Sequence, residues 1–146
     1  MSAKYLQDWE IFNESLELRT NKLRYYENYE DFTANSVNQE TTIYTAVTLN
    51  KPKGVINTQN TTTGTLTTGI STHFTVNNSV VTSSSVVYAH IVNYSGTPTT
   101  NGIPVLLVKN ITNGAFDIYI MNASSPPSAT ALSGTLKIYY EVINHV

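Results

Sequence analysis

The chain of 146 residues contains no cysteine, which excludes disulfide frameworks, thiolate metal sites and cysteine nucleophiles. Charge is scarce as well. Lys, Arg, Asp and Glu together make up 12 % of the residues and the formal net charge is -2, against ~25 % charged residues in ordinary globular chains. Abundant Thr, Ser and Asn leave a surface of hydroxyls and amides where ions normally sit. No basic stripe is present for nucleic acid: beyond residue 40 the densest basic pair is Lys51 with Lys53. No stretch approaches the ~18 consecutive apolar residues of a membrane span. The opening MSAKYLQDWE lacks the charged start and apolar run of a secretion signal. A soluble chain without a cleaved leader, with neither nucleic acid nor membrane as partner, is expected.

Catalytic chemistry is equally thin. His73, His90 and His145 lie far apart, with no spacing that supplies two metal ligands from one element. Serine is plentiful, but there is no G-x-S-x-G elbow, and the glycines sit singly, without the phosphate-loop pattern. Asp117 and Glu141 are the only acids after residue 40. If the strands that carry them pair, they reach Lys109 or Lys137 as surface ion pairs rather than as a glycosidase couple. No enzymatic activity, no cofactor and no metal is expected. The N-x-S/T triplets at Asn13, Asn60, Asn77, Asn93, Asn110 and Asn122 arise by chance in a chain of this composition, and no glycosylation is assigned to them.

What charge there is lies at one end. Residues 1–40 hold four Lys/Arg and eight Asp/Glu, whereas residues 41–146 hold only Lys51, Lys53, Lys109, Lys137, Asp117 and Glu141. In the first segment Tyr5, Trp9, Phe12, Leu16, Leu23 and Tyr26 follow a helical spacing, with Arg19 in the single polar slot. Asp8, Glu10, Glu14 and Glu17 precede Arg19, Lys22 and Arg24, the order that a helix dipole favours. The pattern predicts an amphipathic helical arm over about residues 3–30. A lone helix carrying Trp9 and Phe12 needs a partner. It packs on its own β domain, zips with copies of itself, or lies against another protein.

From residue 41 the period changes to two, in short runs bounded by Gly, Pro, Asn and Ser. About seven strands are expected, over residues 42–49, 54–58, 72–77, 85–93, 103–109, 115–122 and 134–143. They predict an antiparallel β-sandwich, jelly-roll-like or immunoglobulin-like, spanning residues 41–146 behind an arm of residues 1–40. In the sixth strand Phe116, Ile118 and Ile120 share the core face, and in the seventh Leu136, Ile138, Tyr140 and Val142 do so. The opposite faces carry Tyr119, Met121, Tyr139 and Ile143, more apolar surface than a solvated sheet needs, so they either contact a neighbouring subunit or are ordinary surface side chains. Pro52 and Gly54 are expected to turn the chain, as is Asn113-Gly114. Residues 59–71, 94–102 and 123–133 read as surface loops.

The runs TTIYTAVTLNKPKGVINT, HFTVNNSVVTSSSVV and GAFDIYIMNASSPPSATALSGTLKIYYEVI carry a resemblance. They are similar to a β-sandwich domain recurrent in structural proteins of tailed phages and large aquatic viruses. Thr45, Val47, Thr48, Leu49, Asn50, Pro52, Gly54 and Ile56 match its first strand pattern. Phe74, Thr75, Val76, Asn78, Ser79 and Val81 approximate the second with an extra Asn. Gly114, Phe116, Ile118, Ile120, Asn122, Leu132, Gly134, Lys137 and Ile138 match the third. The resemblance spans residues 41–143 and leaves the arm outside it. It implies a virion location and a role as capsid decoration, head-fibre or tail-fibre protein, oligomeric and often trimeric. In one reading the β domains assemble, with a trimer favoured, and the arm grips another virion protein such as the major capsid protein. Tyr5, Trp9, Phe12, Leu16, Leu23, Tyr26, Tyr119, Met121 and Tyr139 are then the assembly residues. In the alternative the chain is a receptor-binding tip that contacts a host surface through the sandwich loops.

Overall fold

Two-residue alternation can bury only one side of each strand, so two sheets must face each other to hide it. The computed structural model, which describes residues 35–64, 71–124 and 131–144, solves the problem in this way. Its strands are β1 (Ser36–Asn38), β2 (Val47–Thr48), β3 (Lys53–Asn57), β4 (Ser71–Asn77), β5 (Val86–Tyr94), β6 (Pro104–Thr112), β7 (Ala115–Asn122) and β8 (Leu136–Ile143). One four-stranded sheet runs β1-β3-β8-β5, here the β8 sheet, and the other runs β2-β4-β7-β6, the β7 sheet. All neighbours are antiparallel except β1 with β3 and β2 with β4, which are parallel. The described residues are mainly β and sandwich-like.

The core lies between the inner faces. Phe74 and Val76 of β4, with Phe116, Ile118 and Ile120 of β7, meet Ile56 of β3 and Leu136, Ile138, Tyr140 and Val142 of β8. The rings of Phe116 and Tyr140 bridge the two sheets with centroids 5.5 Å apart and planes tilted by 59°. Ile43, Val81 and Leu132 enter the same core from connecting segments. Each fully buried large side chain contributes ~1.5–3 kcal/mol. The inward sets of β7 and β8 are those that their alternation predicts.

Several expectations need correction. Eight strands are present among the described residues, not about seven. β1 is the added strand; it lies in the stretch assigned to the arm, and Ser36, Val37 and Asn38 register with Val55, Ile56 and Asn57. Residues 42–49 do not form one strand: only Val47 and Thr48 pair, because the chain turns at Ile43–Tyr44. Thr45 N donates to Thr42 O at 3.0 Å and closes that turn. Gly54 is not in a turn but inside β3, where a Cβ would lie 2.9 Å from the Tyr140 ring. β7 and β8 belong to different sheets, so Asp117 and Glu141 do not share a face. Asn113-Gly114 does turn the β6–β7 hairpin, with Gly114 at φ 85°. The expected arm helix over residues 3–30, with Tyr5, Trp9, Phe12, Leu16, Leu23 and Tyr26, lies outside the described residues.

Side-chain hydrogen bonds close what the strands leave open. Buried Gln39 donates through Nε2 to Ile43 O (3.2 Å) and Thr45 O (2.8 Å), and its Oε1 accepts from Gln59 N (3.1 Å). The Tyr140 hydroxyl lies 2.9 Å from Leu49 O and 3.1 Å from Lys51 O, and accepts from Asn78 Nδ2 at 3.2 Å. Burial pushes the Tyr140 phenol well above its ordinary range, and the Asn78 bond offsets only part of that. The Tyr94 hydroxyl donates to Asn101 O at 2.5 Å and accepts from Ser133 N at 3.2 Å. Burial raises its pKa too, against the lowering effect of the Ser133 bond.

Candidate assembly surface

The β6–β7 hairpin places its side chains by simple alternation. Leu106 and Val108 of β6 pack against the core, which turns Val105 and Leu107 outward, 45 % and 50 % exposed. Across the ladder Val105 registers with Met121 and Leu107 with Tyr119. On the far side of β7, Ser71 registers with Met121 and His73 with Tyr119. Ile103, just before β6, adds another exposed apolar side chain. The lower half of this face is therefore an apolar patch of Ile103, Val105, Leu107 and Met121 beside the Tyr119 ring.

The upper half is polar and self-satisfied. His73 stacks on Tyr119 with centroids 4.6 Å apart and planes at 16°. Lys109 Nζ sits 5.2 Å from the centroid of the same ring, within cation–π range. Asp117 accepts from Thr75 Oγ1 and from Asn110 Nδ2, each at 2.8 Å. Asn110 has φ 52°, at the irregularity between Lys109 and Thr112 where β6 bends. Tyr119 is thus held in place from both sides, whereas Val105 and Leu107 present bare aliphatic surface.

The outer face of the β8 sheet mixes exposed Val86 and Ile143 with polar and aromatic pairs. Tyr139 lies beside His90 with ring centroids 5.2 Å apart, and Lys53 Nζ is 3.0 Å from Glu141 Oε1. Glu141 is paired with Lys53, not with Lys137 as one of the sequence alternatives had it. Tyr88 is 60 % exposed in the row of that ion pair. Of the assembly residues expected in the sandwich, Tyr119 and Met121 fall on the β7 sheet and Tyr139 on the β8 sheet, so the fold does not bring the three together. The arm residues are outside the described ones. Ile103, Val105, Leu107 and Tyr88 were missed. The run IPVLLVK is apolar at successive positions, not alternate ones, and that departure from alternation was the available signal.

At one end of the sandwich the described parts of the three expected loops converge. Thr61 N donates to Gly134 O, Gly134 N to Asn60 Oδ1, Ser133 N to Asn101 O and Ser95 N to Thr135 O. A Cβ on Gly134 would lie 2.6 Å from Gly96 N, so the loops meet at glycine contact distance. Among the described residues no group of three or more His, Cys, Asp or Glu is placed to hold a metal ion, and no helix is long and apolar enough to cross a membrane. His73 and His90 lie on different sheets. In comparisons with known proteins, no family model, no curated protein and no solved structure matches the chain.

Proposed function

We propose that this chain is a virion structural protein of the capsid decoration or head-fibre kind, which assembles with copies of itself and attaches to the particle through its N-terminal arm. The observation that carries the self-assembly is the exposed aliphatic patch of Ile103, Val105, Leu107 and Met121 on a face otherwise built of satisfied polar groups. Such a patch on a β face favours cover by another protein surface. The resemblance of residues 41–143 to virion β domains supplies the location, and the sparse charge agrees with it. In the arm, the spaced Trp9, Phe12 and Tyr26 supply the apolar contact to another virion protein such as the major capsid protein. Repetition of weak sites adds avidity.

Of the two windings, the alternation of strands between the sheets favours the jelly-roll-like one, from which the parallel pairs β1–β3 and β2–β4 depart. From β1 to β6 each successive strand lies in the opposite sheet, and among the described residues the single within-sheet hairpin is β6–β7. An immunoglobulin order places several sequential hairpins within one sheet, whereas a jelly roll alternates between its two sheets.

Mass spectrometry of purified particles of the virus whose genome encodes the chain tests the location. The expected result is a stoichiometric virion component that Trp9→Ala displaces from the particle without loss of β structure by circular dichroism. Absence from the particles overturns the proposal. The second reading, a receptor-binding tip, draws on the convergence of residues 59–61, 94–102 and 131–135 at one end. It predicts that residues 35–146 alone bind host cells.

A further inference from the structure

Hydrogen-bond parity identifies a free edge on β6. Ala123 N donates to Ile103 O at 2.8 Å, so Ile103 and, by alternation, Val105, Leu107 and Lys109 direct their amides and carbonyls toward β7. Asn78 N donates to Gly114 O at 2.8 Å, which independently turns the even-numbered residues of β7 toward β4 and leaves the odd-numbered ones for β6. Leu106 and Val108 therefore point their backbone groups away from β7. Among the described residues β6 is the last strand of its sheet, and no backbone bond reaches these groups from elsewhere.

A nine-residue edge strand of this kind is a template for pairing. Its devices against pairing sit at the ends: Pro104 at the start, and Lys109, Asn110 and the irregularity after Lys109 toward the finish. The middle, Val105 to Val108, carries none.

We propose that β6 pairs antiparallel with β6 of a second copy of this chain about a two-fold axis at Leu107, joining the two β7 sheets into one eight-stranded sheet. A second copy is the occupant because the edge is self-complementary. With Leu107 on the axis, Leu106 of each copy faces Val108 of the other, and all four outward amides find carbonyls. Centring on Leu106 instead would bring Pro104, which has no amide hydrogen, into the ladder. Charge agrees with the register: each Lys109 faces a Val105, and the two Lys109 lie ~14 Å apart at the ~3.3 Å rise of a strand. On the outer face Leu107 meets Leu107, flanked by Val105, and the bare patch of each copy continues into that of the other. β5, the edge strand of the other sheet, fits less well, because Tyr88 and His90, beside the Lys53–Glu141 pair, interrupt its outward row between Val86 and Val92. The inference deepens the self-assembly proposed above by naming its contact.

The absence of cysteine makes the test direct. In the full chain, Leu107→Cys is expected to form a disulfide-linked dimer on mild oxidation, read on a non-reducing gel. Val105→Cys, displaced from the axis, is expected to remain largely uncrosslinked, and Val105→Cys combined with Lys109→Cys to crosslink again. By light scattering Leu107→Lys is expected to halve the mass of the unmodified chain while circular dichroism shows the sandwich intact. A monomeric or trimeric unmodified chain, or equal crosslinking by Leu107→Cys and Val105→Cys, overturns the two-fold contact. The virion role is judged separately by the presence of the chain in purified particles, so the two can fail independently.

Discussion

The two sides of the sandwich are built on different terms. On one side the edges are β1, of three residues, and β2, of two, both added in parallel and tied down by Gln39, Gln59 and the turn at Thr42–Thr45. On the other side the edges are β5 and β6, of nine residues each. Short edges bound by side-chain hydrogen bonds offer no template, whereas long edges with outward aliphatic side chains do. The polar closure thus serves the fold of one chain, and the open side is available to another.

The difference can be broken first on the closed side. Gln39→Leu removes the partners of Ile43 O, Thr45 O and Gln59 N. The expected cost is about 3 kcal/mol, at ~1 kcal/mol or more for each buried group left unpaired, measured by urea or thermal unfolding. A loss below about 1 kcal/mol would show that the closed side is not held by this residue.

Tyr140→Phe is the next largest. Loss of the hydroxyl contacts with Leu49 O, Lys51 O and Asn78 Nδ2 is expected to cost about 1–2 kcal/mol. It also has a pH signature. An unfolded tyrosine ionises near pH ~10, while burial raises Tyr140 in the folded chain, so the folded form keeps a proton that the unfolded form releases. The stabilisation is complete below that pH and falls as pH rises toward the folded value, by at most about 1.4 kcal/mol per pH unit for one proton. Tyr140→Phe is expected to reduce the slope of unfolding free energy above about pH 10; an unchanged slope would assign it to Tyr94 alone.

Thr72→Val works in the opposite direction. Thr72 faces the core from β4 opposite Ile120, and among the described residues its buried hydroxyl has no hydrogen-bond partner. Removing an unsatisfied hydroxyl at nearly constant shape is expected to stabilise the sandwich by about 1 kcal/mol; destabilisation in thermal unfolding would mean that the hydroxyl is partnered. The smallest effect on the fold belongs to the open side. Leu107→Lys is expected to change the stability of the single sandwich by about 0.5 kcal/mol or less, while changing the mass in solution. A Leu107 variant that unfolds like the Gln39 variant would erase the distinction between the sides.

The sequence read well where the pattern was local. β7 and β8 bury Phe116, Ile118, Ile120, Leu136, Ile138, Tyr140 and Val142 as alternation dictates, and Asn113-Gly114 turns the hairpin. It read poorly where a strand owes its existence to a neighbour. SVN of β1 has a single apolar residue, Val37, too short a run to signal a strand, and it is a strand because β3 offers an edge to it. TIYTAVTL alternates like a strand, yet most of it is held by side chains, with Gln39 binding its carbonyls.

The sequence by itself determined that residues 41–146 make a mainly β domain with an apolar core and few ions, because alternation, turn residues and composition act between near neighbours. The tertiary structure decided which outward side chains share a face. Tyr119 and Tyr139 look equivalent along the chain, but β7 and β8 are separated by a crossover and lie in opposite sheets. Whether an edge is sealed or open likewise depends on strand order, which is set by pairings as distant as Asn57 with Lys137. Such pairings follow from the global burial of both sheets, a property that no local stretch of residues encodes.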